Sequence, residues 1–309
     1  MSGPRLRYWK YTLYAKGALN SCSAEIQREG ALIRDAGGGV GCVHPWPELG
    51  DAPLDEQLAA LASELPTNLG EQALLCAEAD GLARREGRNL FAPLRVPPSH
   101  WTAGVEPAEP PEGFAAIKLK RIDQIPFYRE ACPNHRLRLD LNDSLSVEAF
   151  RDFWRGLDAA TREAIEFVED PVPWDPDVWR ELRTGWGVPR AADRDVMTRA
   201  SEAEWLVVKP AVVNPIGPGE LAWRENKRLV FTSYMDHAIG QLHAAWRAAE
   251  AAAILGGTVA EGGLVTHPLF EPDPFFDRLT CDGARLVPPE GTGLGFDDLL
   301  EDLPWKVLI

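Results

Sequence analysis

No stretch of this 309-residue chain stays apolar for the ~18 residues that a membrane-crossing helix needs, so no transmembrane helix is expected. Cysteine is scarce. Cys22, Cys42, Cys76, Cys132 and Cys281 form no CxxC pair and are odd in number, which argues against a disulfide framework or a zinc site. They are expected to be reduced thiols serving as small buried hydrophobes. Basic residues are outnumbered, 32 against 47 acidic ones, for a net charge of −15. That sign disfavours a nucleic-acid backbone or an anionic membrane as the main partner, yet local lysines can still dominate a cleft for an anionic small molecule. Gly37-Gly-Gly39 lacks the Lys-Ser/Thr that completes a P-loop, and no GxSxG elbow occurs. Met1 to Asn20 is dotted with Tyr, Lys and Arg and lacks the apolar centre of a signal peptide, so the expected location is the cytoplasm. No internal repeat or low-complexity tract is present.

What the chain does have is enough apolar material, 45% with 11 tryptophans, for one or two domains with a real core. Between Ala115 and Pro210 five apolar segments each end in a charge. Ala115-Ala-Ile-Lys-Leu-Lys120 carries Lys118 and Lys120, and Leu137-Arg-Leu-Asp-Leu-Asn142 carries Asp140 and Asn142. Phe167-Val-Glu-Asp-Pro171 ends in Glu169 and Asp170, Gly187 to Asp193 in Asp193, and Trp205-Leu-Val-Val-Lys-Pro210 in Lys209. The charges Lys120, Asp140, Glu169, Asp193 and Lys209 are separated by 20, 29, 24 and 16 residues. A strand, a loop and a crossover helix take roughly 20 to 30 residues, so the rhythm predicts one charge per βα unit. Residues two apart on a strand share a face. Charges at the C-terminal ends of successive parallel strands converge at the mouth of a β/α barrel. Three carboxylates facing lysines there make an oxygen-ligand site for a hard cation, flanked by bases. Taken singly, each charge is explained as well by a solvated loop; the ordered repetition is what points to a site.

This order (KxK, LDxN, EDP, a lone Asp, VKP) resembles the enolase superfamily, muconate-lactonizing-enzyme subgroup, and within it the o-succinylbenzoate synthase family. The likeness extends over most of the chain, best from about residue 114 to 240. It implies an α/β fold: a modified (β/α) barrel with one strand reversed, and an α+β capping domain formed by the N-terminal region and the C-terminal tail. The expected division is 1–90 for the capping domain, 91–276 for the barrel and 277–309 for a segment returning to the cap. Before residue 90 the sequence predicts strands across residues 5 to 35 with a turn at Glu29-Gly30. A Gly/Pro-rich loop follows from Gly37 to Pro47. Helices are expected from Leu54 to Leu65 and from about Gly70 to Glu86, the second burying Leu74, Leu75, Ala79 and Leu82. Loops Ala15–Cys22 and His44–Gly50 would form the lid. The family's GxGExxPxP pattern stands here as Gly39-Val-Gly-Cys-Val-His-Pro-Trp-Pro47, with Cys42 in place of the Glu. His44 and Trp46 could touch a substrate or simply pack the loop. Barrel strands are expected near 92–96, 115–119, 136–140, 166–169, 188–192, 205–209, 229–233 and 263–266, with Ser146 and Asp175 capping intervening helices.

By residue-wise likeness Asp140, Glu169 and Asp193 are Mg²⁺ ligands, with Mn²⁺ as the alternative ion. Asp195 competes with Asp193, because the family's Asp-Glu pair is missing here. Asn142 and Asp170 would support the ligands. A divalent ion stabilises the enediolate formed when a proton leaves carbon next to a carboxylate. Lys120 would be the base, its pKa lowered by Lys118 and the metal, with Lys209 opposite. Ser233 and Tyr234 in Thr232–Gly240, together with Gly262 and Gly263, would bind a small carboxylate substrate. The resemblance thus implies a one-base syn dehydration. The alternatives are an N-acylamino acid or dipeptide racemase on the same scaffold, and a non-catalytic binding relative that would need no base.

Overall fold

The computed structural model describes residues 6–19 and 23–309, and two sheets organise them. Cys22 and the distal end of the expected lid loop lie outside the described residues. In the first sheet β1 (Leu6–Tyr14), β2 (Gln27–Asp35) and β3 (Val40–Val43) run antiparallel in chain order. Glu29-Gly30 is no turn: it lies inside β2, opposite Thr12 and Tyr11. A Cβ on Gly30 would fall 2.3 Å from the Tyr11 hydroxyl, so the glycine makes room for that ring to cross the sheet. β3 also occupies what reads in sequence as loop.

Two helices cover this sheet, α1 (Leu54–Ala62) and α2 (Asn68–Arg85), the latter capped by Thr67 accepting from the Gly70 amide. The face that α2 buries is not the leucine face. Leu75 and Leu82 are exposed, while Ala73, Cys76, Ala77, Asp80 and Gly81 are buried. The reason is close approach: Cβ atoms on Gly39 and Gly41 would sit 1.9 and 2.0 Å from the Ala77 and Ala73 carbonyl oxygens. Only small residues fit where backbones come that near. Asp80, fully buried, accepts from the Val40 and Leu294 amides and from Arg84 Nε.

The second sheet runs β4 (Trp101–Thr102), β5 (Ala116–Leu119), β6 (Arg136–Asp140), β7 (Ile165–Glu169), β8 (Arg190–Ala192), β9 (Trp205–Val208) and β10 (Arg228–Phe231) in sequence order. Every pairing in it is parallel, so the reversed strand implied by the resemblance is absent among the described pairs. Parallel bridges Thr232–Gly263 and Ser99–Gly262 close the ring, the segment around 259–263 serving as the last stave. The first stave is Trp101–Thr102 rather than 92–96; Pro93 and the Pro97-Pro98 pair leave that earlier run poor in ladder donors.

Helices α3 (Ile125–Ala131), α4 (Val147–Gly156), α5 (Ala159–Ala164), α6 (Pro176–Thr184), α7 (Val196–Arg199), α8 (Ile216–Glu225) and α9 (Ala238–Leu255) alternate with the strands. Ser146 Oγ caps α4 through the Ala149 amide, and Asp175 caps α6 through the Asp177 and Val178 amides. Phe150 and Trp154 anchor α4, each worth about 2–3 kcal/mol of burial. Inside the barrel, below the mouth, Phe167, Ala191, Val207, Val230 and Ala260 form a packed plug. Beyond the barrel lie a hairpin, β11 (Thr280–Asp282) and β12 (Arg285–Val287), helix α10 (Asp297–Glu301), and β13 (Lys306–Val307), which pairs antiparallel with β1. Cys42, Cys76 and Cys132 are buried free thiols, whereas Cys281 is exposed, against the expectation for it. No helix among the described residues is long and apolar enough to cross a membrane.

Candidate active site

Alternation along the strands decides what reaches the mouth. On β6, Arg136, Arg138 and Asp140 share the inward face, and β5 places Lys118 beside Arg138 in register, with Lys120 just past its end. Lys118 Nζ sits 2.9 Å from Asp140 Oδ2 and 2.8 and 3.0 Å from the two Glu169 oxygens, all three side chains nearly fully buried. Asn142 donates to Asp140 Oδ1 at 2.6 Å. Across the mouth Lys209 Nζ holds Asp193 in a short ion pair. Asp195 is exposed and starts α7, away from this cluster. Asp170, with left-handed φ of 43°, turns to the other side. It accepts from the Arg194 amide at 3.1 Å and pairs with Arg199, which also grips Asp143. It braces the loop that carries Asp193.

These contacts set the protonation states. Burial works against charge on Lys118, but Asp140, Glu169 and Asp193 outweigh it and hold the ammonium well above its usual range. Lys120 goes the other way. Burial, opposed by Asp140 but reinforced by Lys118 and Lys209, lowers it to about 8. Its Nζ contacts the Leu19 carbonyl and lies 3.5 Å from Met235 Sδ. Burial and then the charge of Asp140 push Glu169 up to about 8, against the pull of Lys118. Asp140 stays below its usual range despite burial, because Lys118 and Lys120 face it.

Among the described residues no three His, Cys, Asp or Glu side chains converge on one point. The cause is visible: ammonium groups occupy the space between the carboxylates. The donor set nonetheless fits a hard dication in kind. Three carboxylates from three consecutive strands face two paired ammoniums, which leaves either surplus negative charge or a proton on Glu169. An all-oxygen set with that surplus suits Mg²⁺.

The cleft over this cluster is lined, besides Lys118, Lys120, Asp140, Asn142 and Lys209, by Trp46, His100, Thr102, Ser233, Tyr234 and Gly263. The loop after β3 reaches it through Trp46, whose Nε1 donates to the Tyr234 carbonyl at 2.8 Å, while Tyr234 Oη donates to Asp51. Ser233 Oγ lies 2.7 Å from Thr266 Oγ1. Two sequence candidates fall elsewhere. His44 stacks on Tyr11, 3.1 Å from its hydroxyl, away from the cleft. Gly262 is not on the wall; a Cβ there would lie 2.4 Å from the Phe231 carbonyl, so it serves barrel closure. Sequence reasoning missed His100, Thr102 and Met235. His100 and Thr102 belong to no motif and reach the cleft through the closure of the ring, while Met235 lies within Thr232–Gly240 beside the residues singled out there.

The sequence profile described as O-succinylbenzoate synthase, N-terminal domain, matches residues 6–83. An o-succinylbenzoate synthase from Bdellovibrio bacteriovorus is 32% identical over 98% of this chain and 98% of its own length. Among solved structures, the L-Ala-D/L-Glu epimerase from Bacillus subtilis superposes with a TM-score of 0.78 at 17% identity, over 96% of this chain and 98% of that one. A dipeptide epimerase from Cytophaga hutchinsonii, solved with Mg and the dipeptide D-Ala-L-Val, gives 0.75 at 17% identity, covering 97% and 98%. At that identity the structural likeness speaks to the fold alone.

Proposed function

Because the chain belongs to the o-succinylbenzoate synthase family of the enolase superfamily, we propose that it is a Mg²⁺-dependent dehydratase in menaquinone biosynthesis. It would convert 2-succinyl-6-hydroxy-2,4-cyclohexadiene-1-carboxylate to 2-succinylbenzoate and water. The observation that carries this reading is the pair of unlike lysines: Lys118 held charged between two carboxylates, and Lys120 beside it lowered to about 8. A base for carbon acids must be neutral at working pH yet basic enough to take the proton.

Lys120 removes the proton from the ring carbon that bears the carboxylate, and the C–H electron pair moves into the carboxylate as an enediolate. The pair then returns to form the ring double bond while the C–O bond to the hydroxyl breaks. Lys120 gives its proton to the departing oxygen on the same face, so atoms and charge balance with water as the second product. Lys209, anchored by Asp193, supports the negative charge from the opposite side. Asp140, Glu169 and Asp193 would hold Mg²⁺, which supplies charge neutralisation at the substrate carboxylate. Gain of an aromatic ring makes the second step downhill.

The test is turnover of the diene with Mg²⁺, followed by loss of its absorbance and growth of the aromatic product. Wild type is expected to turn over, to stop on chelation, and to lose activity as Lys120→Ala. Proton exchange in heavy water with N-succinyl amino acids of each hand separates the rival. Exchange of both hands by wild type with no dehydration of the diene would replace this reading by a racemase.

A further inference from the structure

We propose that His100 is a substrate-positioning residue, whose Nε2–H donates to an acceptor oxygen of the bound oxo-acid in a niche shared with Thr232 and Gly263. The inference rests on the reading above that the cleft takes an oxo-acid, and it adds a residue that no motif marks.

His100 stands just before β4, at the seam where the barrel closes. Its backbone amide donates to the Gly262 carbonyl at 2.7 Å, and the neighbouring Ser99 Oγ accepts from the Leu264 amide at 2.8 Å. The backbone under the ring is therefore fixed on both sides. The ring is 2% exposed, and its Nδ1 lies 2.9 Å from Arg138 Nη1. A guanidinium has no lone pair to offer and does not lose its proton in proteins, so it must donate. Nδ1 is then the acceptor, and the proton of the neutral ring sits on Nε2. Burial, with the charges of Arg138, Lys118 and Lys120, keeps the ring neutral.

Arg138 is in no position to relax this choice. It is fully buried, donates from Nε to Glu166 at 2.6 Å and from Nη1 to the Glu261 carbonyl at 2.7 Å, and lies over the Phe167 ring. The tautomer of His100 is thus set from the barrel interior and read out in the cleft.

Nε2 faces a hollow. Among the described residues the ring has no hydrogen-bond partner besides Arg138. A Cβ placed on Gly263 would lie 3.0 Å from His100 Nε2 and 3.0 Å from Thr232 Cγ2, closer than a side chain tolerates, so the glycine keeps Nε2 uncovered at the cleft wall. Thr232 Oγ1, buried on the same wall, has no partner either. Thr232 Oγ1 is buried without a partner, which is costly, whereas Nε2 is left free at the lining of the cleft for a ligand to use. An acceptor oxygen, carbonyl or carboxylate, satisfies the N–H of His100, with the Thr232 methyl group packed beside it.

Two substitutions separate this role from a merely structural one. His100→Asn keeps an acceptor near the position of Nδ1 for Arg138 but removes the donor into the cleft. His100→Gln keeps a donor near the position of Nε2. In the Mg²⁺-loaded protein, His100→Asn is expected to raise KM and the Kd for 2-succinylbenzoate, measured by calorimetry, by roughly 10- to 100-fold. Its kcat should stay within a few-fold and its melting temperature should not move, while His100→Gln should recover most of the affinity. Analogues lacking the ketone or the chain carboxylate identify the oxygen: the one that binds wild type and His100→Asn equally is missing it. Equal affinity of wild type and His100→Asn for the complete product would overturn the proposal alone. So would equal losses in both variants with a lowered melting temperature, since His100 would then be a strut for Arg138. Wild type that neither turns over the diene nor binds 2-succinylbenzoate would overturn the functional reading as well.

Discussion

Replacing Lys118 by methionine removes the ammonium that bridges Asp140 and Glu169 while keeping a side chain of similar length. The geometry sets the size of the effect. Lys118 Nζ lies within 3.0 Å of three carboxylate oxygens, and all the groups are buried. Removing one partner of a buried ion pair costs about 3–5 kcal/mol, because the other charge is left unpaired. Glu169, at about 8, already holds a proton most of the time at pH 7, so Asp140 is the main charge left unpaired and the lower end, about 3 kcal/mol, is expected. For a chain of 309 residues that corresponds to a fall of roughly 4–5 °C in melting temperature. Mg²⁺ reverses the sign of the comparison. A ligand at 100 times its Kd adds about 2.7 kcal/mol to any form that binds it. Lys118→Met should gain more than wild type, because the ammonium no longer competes for the same oxygens. Scanning calorimetry of both proteins in chelator and in saturating Mg²⁺ measures all four quantities. A variant melting within about 2 °C of wild type in chelator, or gaining no more from Mg²⁺, would refute the view that Lys118 occupies the cation's place.

Turnover should follow Lys120. kcat/KM is expected to rise about tenfold per pH unit below a break near 8 and then level, with Mg²⁺ moving the break downward; a flat profile from pH 6 to 9 would remove Lys120 as the base. Stability should instead peak at about pH 6.5 in the metal-free protein. Glu169, Asp170 and Asp236 have raised folded-state values of about 8, 7 and 7, so their contribution is complete below their unfolded values and is lost as pH rises through those numbers. His44, His237 and His243, lowered to about 3, and His267, lowered to about 4, contribute above their unfolded value of 6.5 and lose it as pH falls. Denaturant midpoints from pH 5 to 9 check this, and a monotonic curve would contradict the burial of one set. Glu169→Gln should abolish Mg²⁺-dependent turnover while the protein stays folded by circular dichroism; full turnover of that variant in strong chelator would end the metal reading.

The barrel was legible because its strands carry their own punctuation. Lys120, Asp140, Glu169, Asp193 and Lys209 end five successive units, and capping residues such as Ser146 and Asp175 announce the helices between them. The errors have a common physical source. Leu75 and Leu82 looked like the buried face of α2, yet glycines some 40 residues away decide how near the helix comes, and nearness favours Ala73 and Ala77. Gly30 reads as a turn until the Tyr11 ring that needs its missing Cβ is known. The first stave, two residues long, offers no periodicity, so His100 beside it carried no signal. Local pattern reveals what a segment prefers; spacing between segments depends on residues that share no window with it. The sequence preferred Asp193 to Asp195, and it is Asp193 that Lys209 pairs with.

The pairing of β13 with β1 has a consequence for how the chain is made. Arg7 meets Val307 and Tyr8 meets Lys306, partners about 300 positions apart in the order of synthesis. As the ribosome delivers the chain, the hairpin of β1 and β2 emerges before the barrel, but the outer edge of β1 must wait until the barrel has been translated. During that interval the nascent chain exposes unpaired amides and carbonyls at Leu6 to Tyr8, a template for pairing with a neighbouring polysome product. Lys306 to Ile309 therefore cover an edge of β1 that stays open until they are made. Until they arrive, the cap that carries Trp46 to the cleft has one open seam.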